Sequence, residues 1–211
     1  MRLFHLLPAK WALDDFVRKR LKISFLEDLN DPFEFLSLDT TDPMLQETLI
    51  RTRKSLGQQN GVLCFSRSWA NPVLWSHYAD KHKGIALGFE VQEVAGEPQG
   101  IPVKYVSSRL VHSVSDVQGW KPQDMLTLLA TKFEHWRYED EVRIYASIVE
   151  KDQESGLAFV PFSEDLALTD VVLGVRCSVE RTQIEEIVKD WVPTVRVISA
   201  RLDSSSFSVV E

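Results

Sequence analysis

The sequence is poor in cysteine and has no long hydrophobic run. Its only cysteines, Cys64 and Cys177, each fall in a predicted strand, where a reduced thiol behaves as a small hydrophobe, so both are predicted to be core residues. No apolar run approaches the roughly 18 to 20 residues of a membrane span, which excludes a membrane protein. The first residues lack the features of a signal peptide, because the apolar run stops at Pro8. Cytoplasmic residence is therefore expected.

An excess of positive charge is also missing. The formal net charge is -7, whereas a general nucleic-acid-binding surface needs clustered lysine and arginine to neutralise phosphates. The basic segments at 18–20 and 51–54 fall on predicted helix faces with acidic residues nearby. We therefore expect no general nucleic-acid surface, and the sequence does not identify a protein partner.

The common catalytic and nucleotide-binding motifs are absent. The chain has no G-x-G-x-x-G, no phosphate-binding P-loop and no G-x-S-x-G. His77 and His82 are five residues apart, whereas metal ligands on one helix face are three or four apart, so no metal site is predicted. Leu63 and Phe65 flank Cys64, and burial between them would raise its thiol pKa and make it a poor nucleophile. No covalently bound cofactor is expected.

Hydrophobic periodicity predicts an α+β fold formed by one domain spanning residues 1–211. The predicted strands come in runs without regular helical crossovers, which favours a mixed, mostly antiparallel sheet with helices packed on it. The predicted helices begin at 8, 42, 71, 125 and 179, and the predicted strands are 2–7, 21–26, 62–67, 85–89, 103–106, 141–146, 157–162, 170–175 and 195–202. The helix over 125–136 has the most complete apolar stripe, and Lys132 within it is expected to extend outward.

The stretch W-R-Y-E-D-E-V-R-I at 136–144 concentrates acidic and basic residues at the start of a predicted strand. Alternation directs Val142 to one face of the sheet, and Glu141 and Arg143 to the other. Glu139 would share the face of Glu141 and Arg143 if the strand begins early. Such a polar face is either solvated surface or the wall of a cleft. Aromatic residues that either stack on a nucleotide or form a core with polar tips are dense nearby: Trp69, Trp75, His77, Tyr78, Trp136 and Tyr138.

Several motifs together resemble an uncharacterised bacterial family of domain-of-unknown-function proteins. The resemblance extends over nearly the whole chain and implies a family identity without an activity. The motifs, in order, are N-D-P-F-E at 30–34, C-F-S at 64–66, W-S-H-Y-A at 75–79 followed by K-G-I-A-L-G-F at 83–89, V-K-Y at 103–105, and W-x-Y-E-x-E-x-R-I at 136–144.

A second resemblance is to ADP-ribosyltransferase-like folds. These folds place a His or Arg on the first strand, a Ser or Tyr on a middle strand or the helix after it, and a catalytic Glu at the start of a late strand, often as E-x-E. This chain has His5, Ser66, Tyr78 and the pair Glu139 and Glu141 in that order. The resemblance implies an ADP-ribosyltransferase-like fold and NAD as a substrate.

The resemblance also implies a role for each of these residues. Glu141 would stabilise the positive charge that develops on ribose when the nicotinamide bond of NAD is cleaved. Glu139 would orient an acceptor or water. His5 and Ser66 would hold the other ribose and the phosphates, and Tyr78 would stack on nicotinamide.

Further polar residues complete the candidate site. Asp31 and Glu34 do not belong to the transferase-like pattern, and they are interpreted as bracing an arginine, Arg67 or Arg143, in a buried ion pair. The remaining candidate substrate contacts are Arg67, Trp75, His77 and Arg143.

Three hypotheses about function follow. The first is an intracellular enzyme that acts on NAD or a related nucleotide by ADP-ribosyl transfer or NAD hydrolysis, in the manner of a toxin or a phage-defence effector. The second is a metal-dependent nuclease or other hydrolase that uses Asp31, Glu34, Glu139 and Glu141. The third is a non-catalytic module whose aromatic cleft binds a nucleotide or a peptide. We place the first ahead of the others.

Overall fold

The computed structural model describes residues 1–94, 97–98, 100–121, 124–191 and 194–211. A 3-10 helix spans Glu134–Glu139. The α-helices are α1 (Ala9–Arg18), α2 (Pro43–Gln59), α3 (Pro72–Tyr78), α4 (Val114–Gln118), α5 (Leu126–Leu129) and α6 (Arg181–Val188). The strands are β1 (Arg2–Leu7), β2 (Arg20–Phe25), β3 (Asn60–Ser66), β4 (Ile85–Val91), β5 (Glu93–Val94), β6 (Glu97–Pro98), β7 (Ile101–Pro102), β8 (Lys104–Val106), β9 (Thr131–Phe133), β10 (Glu141–Ser147), β11 (Ala158–Pro161), β12 (Leu166–Leu173), β13 (Arg196–Ser199), β14 (Arg201–Leu202) and β15 (Val209–Val210).

Two helices begin where Asp-Pro and Asn-Pro predict. The Asp42 carboxylate accepts from the backbone N–H groups of Met44 and Leu45 at the start of α2. The Asn71 side chain accepts from the N–H of Val73 at the start of α3. In each helix a proline takes the first position, where its missing N–H costs no intrahelical hydrogen bond.

A nine-stranded sheet organises the molecule, with the order β11-β2-β3-β1-β4-β12-β13, and with β10 pairing with both β3 and β7. The pairs are antiparallel except that β12 and β13 are parallel. This sheet and its packed helices confirm the predicted α+β class with a mixed, mostly antiparallel sheet. Among the described residues, no helix is both long enough and apolar enough to cross a membrane.

The two faces of the sheet are covered differently. One face carries a single large hydrophobic cluster, into which α1 contributes Phe16 and α6 contributes Ile184. The other face carries two smaller clusters, one around Trp75 of α3 and one around Leu45 of α2. Buried polar and charged side chains, among them Glu139, Glu141 and Arg143, occupy the region between these two smaller clusters.

The sheet forks along one edge of β3. Ser24 of β2 pairs with Val62 near the beginning of β3, whereas Phe4 of β1 pairs with Ser66 at its end. Between these two positions, the carbonyl of Cys64 accepts a hydrogen bond from the His5 side chain, at 2.8 Å, instead of from a neighbouring strand. The divergence of β1 and β2 therefore opens a gap in the middle of the sheet.

The predicted helix over 125–136 is wrong. The segment contains α5, then β9 and then the 3-10 helix, because β9 pairs in parallel with β8, from Lys104 with Thr131 to Val106 with Phe133. The residues of the apolar stripe therefore do not share one buried face: Leu128 is fully buried, whereas Phe133 is 43% exposed. Tertiary pairing overrides the helical periodicity.

The two cysteines are free, half-buried and packed against hydrophobic clusters. Cys64 lies in β3 as predicted, and burial raises its thiol pKa, with the charge of Glu141 adding to the effect. Cys177 lies after β12 rather than in a strand, because its N–H bonds to the carbonyl of Gly174 in a turn. Burial raises the pKa of the Cys177 thiol as well.

Candidate functional site

The fork in the sheet contains a cavity of about 220 Å³. Strand β1 contributes His5 to its lining, β3 contributes Ser66, and α3 contributes Tyr78. Glu139, at the end of the 3-10 helix, and Glu141, the first residue of β10, also line it. The five residues that follow the ADP-ribosyltransferase-like order are thus brought together around one cavity.

Arg143 holds two of the carboxylates around this cavity. Its Nη2 and Nη1 donate to the Glu34 carboxylate at 2.6 and 2.8 Å, and its Nε and Nη2 donate to the Glu141 carboxylate at 2.9 and 3.0 Å. Arg143 also donates to the carbonyl of Leu129. All three charged side chains are buried, so Arg143 orients the two carboxylates rather than contacting a ligand in the cavity.

Lys132 joins the third carboxylate to this cluster. Its Nζ lies 2.7 Å from Glu139 Oε2, 3.4 Å from Glu34 Oε1 and 3.5 Å from Glu141 Oε2. Its ammonium also lies 4.6 Å from the centroid of the Trp136 ring. The expectation that Lys132 extends outward is wrong, because the side chain is buried among the carboxylates. A lysine within an apolar stripe was the sequence signal for this arrangement.

Glu139 and Glu141 titrate differently although they are neighbours. Burial raises the pKa of Glu139, and this effect outweighs the opposing charge of Lys132. Burial acts in the same direction on Glu141, but the guanidinium of Arg143 outweighs it and lowers the pKa of that carboxyl. Fully ionised, the three glutamates exceed the two cations, Lys132 and Arg143, by one negative charge. The site therefore favours a positively charged group.

Tyr78 connects α3 to the acidic cluster. Its hydroxyl donates to Glu139 Oε1 and accepts from Asn30 Nδ2 at 2.8 Å. Burial, with the charge of Glu139, raises the pKa of the Tyr78 hydroxyl, so the group remains a neutral donor. Asn30 lies in the N-D-P-F-E motif, which is why this motif and the W-S-H-Y-A motif meet in space.

The position of β10 is fixed by a tyrosine that was not among the predicted site residues. The hydroxyl of Tyr105, in the V-K-Y motif, accepts a hydrogen bond from the backbone N–H of Glu141 at 2.9 Å. Burial raises the pKa of Tyr105 to about 12. Tyr105 therefore positions the first residue of β10 through a neutral hydroxyl.

His5 lines the cavity. Its Nδ1 lies 2.8 Å from the Cys64 carbonyl, which can only accept, so Nδ1 carries the proton. Burial lowers the pKa of His5, which keeps the ring neutral and leaves Nε2 as an acceptor. A neutral His5 is thus suited to accept a hydrogen bond from a hydroxyl group.

The hydroxyl of Ser66 already makes two hydrogen bonds within the chain. Its Oγ donates to the carbonyl of Ser68 at 2.8 Å and accepts from the N–H of Ser68 at 3.2 Å. This local bond closes the turn after β3, while Ser66 remains paired with Glu141 across the strands. Ser66 therefore shapes the cavity wall and keeps one acceptor position.

Several other candidate residues lie outside the cavity lining. Trp75 is fully buried in the hydrophobic cluster around α3, and its indole N–H donates to the Trp69 carbonyl at 2.6 Å. Arg67 pairs with Asp140 on the surface. His77 is exposed beside the Tyr78 ring.

The two acidic residues of the N-D-P-F-E motif have different tasks. Glu34 forms the buried ion pair with Arg143 that the bracing interpretation proposed, whereas Arg67 pairs elsewhere. Asp31 is buried, and its Oδ1 accepts from the backbone N–H of Phe33 at 2.9 Å, which closes the turn. Glu34 and Lys132 also form the boundary with a second cavity, of about 310 Å³.

Within the part of the chain that the structure describes, no group of three or more histidine, cysteine, aspartate or glutamate side chains has the geometry to hold a metal ion. The carboxylates that a metal site would use, Glu34, Glu139 and Glu141, are instead bound by Lys132 and Arg143. The arrangement gives no specific support to the metal-dependent hypothesis.

No protein with a curated description and no solved structure shows significant similarity to this chain. The segment from α3 to the middle of β10 gives a family match, and it contains Tyr78, Lys132, Glu139 and Glu141. Residues 74–144 match the family described as "Protein of unknown function (DUF2971)", which confirms the predicted similarity of this chain to an uncharacterised domain-of-unknown-function family.

Proposed function

We propose that the protein is an NAD-cleaving enzyme that transfers ADP-ribose to water or to another acceptor at the cavity in the fork of the sheet. The observation that carries this proposal is the convergence of His5, Ser66, Tyr78, Glu139 and Glu141 on one cavity, although these residues are scattered along 137 positions of the chain. Their spatial grouping is independent of the sequence order that suggested the reaction.

The charge of the cavity supports the same reaction. The nicotinamide ring of NAD is cationic, and cleavage moves positive charge to the ribose. Among the described residues, Glu34, Glu139 and Glu141 form ion pairs with Lys132 and Arg143 alone, and they supply the excess negative charge that stabilises such a group. Because these side chains are buried, their charges interact more strongly with the reacting atoms than they would in water.

The different pKa shifts of the two glutamates divide the roles. The lowered pKa keeps Glu141 ionised, which suits a carboxylate that stabilises the ribosyl cation and accepts from a ribose hydroxyl. The raised pKa makes the ionised Glu139 carboxylate a stronger base than an ordinary glutamate, which suits a general base.

The reaction balances with these two groups. The C1′–N bond breaks, and nicotinamide leaves with the bonding electron pair. A water oxygen forms the new bond to C1′ and loses its proton to Glu139. In transfer to another acceptor, the acceptor nucleophile takes the place of water.

The direct test measures nicotinamide release from NAD by chromatography, with a chelator present. Wild type is expected to release nicotinamide, and Glu141→Gln is expected to lower the rate at least about 100-fold, because the charge opposite the ribosyl cation is lost. Glu185→Gln is the matched control, since Glu185 is exposed on α6, where it pairs with Arg181. Its rate should equal that of wild type.

Binding is measured separately because a missing acceptor limits turnover. Addition of NAD should raise the melting temperature of wild type and of Glu141→Gln. If wild type neither releases nicotinamide nor gains stability with NAD, the proposal is wrong. If release depends on a divalent ion, the metal-dependent hypothesis replaces it.

A further inference from the structure

The cavity of about 310 Å³ beside the fork is separate from the proposed reaction centre but shares Glu34 and Lys132 with it. Its volume falls within the range of about 300 to 1,000 Å³ that is common for small-molecule sites. The reaction proposed above assigns nothing to this second cavity, and its lining differs in character from that of the first.

Two exposed aromatic rings form part of its wall. Phe33 is 56% exposed and Phe133 is 43% exposed, and both line the cavity. Exposed phenylalanine costs hydration free energy, which is recovered when a planar apolar ring covers it. The guanidinium of Arg109 already lies 5.0 Å from the centroid of the Phe33 ring. This wall is suited to an aromatic ligand.

The floor of the second cavity holds polar groups that can bind such a ligand. Ser37 is 8% exposed, and its Oγ has no hydrogen-bond partner among the described residues. An unpartnered buried hydroxyl is costly, because it has lost its hydrogen bonds to water without replacing them. The carboxylate of Asp31, also buried, lines the same cavity and accepts from one backbone N–H through Oδ1. Together these groups are suited to an amino group or ring nitrogen of a nucleobase.

The rim supplies donors for an anion. Arg109 and Ser107 are exposed and line the cavity. Nη1 of Arg109 donates to Thr40 Oγ1 at 2.9 Å, and its guanidinium has further N–H donors. A guanidinium and a hydroxyl at the mouth of an aromatic cavity are a common combination for a phosphate group.

We infer that this second cavity binds a nucleoside 5′-monophosphate, either free or as part of a larger nucleotide, whose base carries an amino group. Phe33 and Phe133 contact the base, Ser37 and Asp31 bond to its polar edge, and Arg109 binds the phosphate. The shared Lys132 places this nucleotide next to the proposed reaction centre.

The test is calorimetric titration of the full chain with AMP and with adenosine. Wild type should bind AMP. Arg109→Gln should lower the affinity for AMP at least about tenfold, because a charge-assisted hydrogen bond to the phosphate is lost. Adenosine has no phosphate, so Arg109→Gln should leave its affinity unchanged. Arg201→Gln, on β14 and outside both cavity linings, is the matched control and should bind AMP as wild type does.

Ser37→Ala provides a second, independent readout. Removal of the unpartnered hydroxyl should leave the melting temperature of the free protein unchanged or raise it, whereas the affinity for AMP should fall severalfold. A variant that is stable but binds poorly separates a role in binding from a role in folding.

Competition with NAD identifies the source of the nucleotide. Displacement of AMP by NAD at one binding site would show that the cavity holds the adenylate half of the dinucleotide. Simultaneous binding would show a separate nucleotide ligand. The inference is wrong if wild type does not bind AMP at millimolar concentrations, or if Arg109→Gln does not weaken binding. Neither result depends on nicotinamide release.

Discussion

At the residue scale, Lys132 places one ammonium group within 3.5 Å of three buried carboxylates. Although burial disfavours its charged form, the charges of Glu141, Glu139 and Glu34 outweigh that effect and raise the pKa of the lysine. Lys132 is thus charged at any physiological pH. Without it, Arg143 alone would oppose three negative groups, and Glu139 would lose its only cationic neighbour within 4 Å among the described residues.

We predict that Lys132→Met destabilises the protein by about 3 to 5 kcal/mol, because it leaves Glu139 buried without its ion-pair partner. Glu139→Gln in the same chain removes the unpaired charge and should restore part of this loss, with a coupling of about 1 kcal/mol or more. This double-mutant cycle is measured by urea unfolding at neutral pH, which gives the free energy of unfolding of the wild type, the two single variants and the double variant.

The control for this cycle is Arg51→Met with Glu47→Gln, an exposed pair on α2. Each change there should stay within about 0.5 kcal/mol of wild type. Additive effects of Lys132→Met and Glu139→Gln would contradict the charge cluster as the source of stability.

His5 gives a prediction about pH. Its pKa is lowered by burial, so the unfolded chain binds a proton more readily than the folded one. The stability that comes from a neutral His5 is therefore present above the unfolded pKa, at about 6.5, and is lost as the pH falls below it. His5→Gln keeps a donor for the Cys64 carbonyl but cannot titrate. Between pH 7 and pH 5, wild type should lose more unfolding free energy than this variant, by an amount on the order of 1 kcal/mol.

The comparison with His5→Gln is necessary because Glu139 has the opposite linkage. Its raised pKa makes the folded state bind more protons, so stability falls as the pH rises through the interval between the unfolded and folded pKa values. Glu139 is the same in both proteins, and its contribution cancels. Equal pH slopes in wild type and in His5→Gln would exclude the buried neutral histidine.

At the element scale, the fork depends on close contact between β2 and β3. Gly61 pairs with Phe25, and a Cβ added at Gly61 would lie 2.3 Å from Ile23 Cγ2 and 2.7 Å from the carbonyl oxygen of Ser24. Backbone this close cannot accommodate a methyl group without moving β2. The first cavity lies beside this contact, with Ser24 in its lining.

We predict that Gly61→Ala destabilises the protein by about 1 to 3 kcal/mol and weakens ligand binding in the fork, because β2 must shift. Gly57→Ala, four residues earlier in α2, is the matched substitution, since its Cβ would have only one contact, at 3.7 Å to Leu26. In the helix it should stabilise by about 0.5 to 1 kcal/mol. Melting temperatures of both variants measure the difference, and equal shifts would show that the β2–β3 contact is not tight.

Strand β10 shows how far the sequence predicts this fold. Its alternation correctly placed Val142 in the core and Glu141 and Arg143 on the opposite face. Alternation identifies a face but not the partner across it. The Glu34–Arg143 pair joins residues that are 109 positions apart, and no local pattern of either residue specifies the other.

The segment from α5 to the 3-10 helix shows why the rest could not be predicted. Its apolar stripe repeats every 3.6 residues, as in a helix, yet Lys132 contacts Glu139 and Glu141, which follow it in the chain, together with Glu34, which comes from a distant part of the chain. The strand pairing of β8 with β9 positions Lys132 for these contacts. The stabilising interactions are nonlocal, so a local propensity could not reveal them.

At the scale of the whole molecule, the net charge of -7 opposes the approach of any anionic ligand. NAD is also negative overall at neutral pH, although its nicotinamide ring is cationic. Long-range repulsion should therefore slow the encounter at low salt, while the short-range attraction between the acidic cluster and the nicotinamide is screened much less because the cluster is buried.

This balance predicts the salt dependence of the proposed reaction. Raising the salt concentration from about 0.05 M to about 0.2 M should leave kcat/KM for NAD unchanged or increase it severalfold, since screening relieves the repulsion. A protein that binds nucleic acid through lysine and arginine behaves oppositely and loses about 10³-fold or more in affinity over this interval when it makes many phosphate contacts. Initial rates of nicotinamide release across this range, at constant pH, measure the effect. A steep fall with salt would mean that the substrate is recognised mainly through its phosphates rather than through its cationic ring.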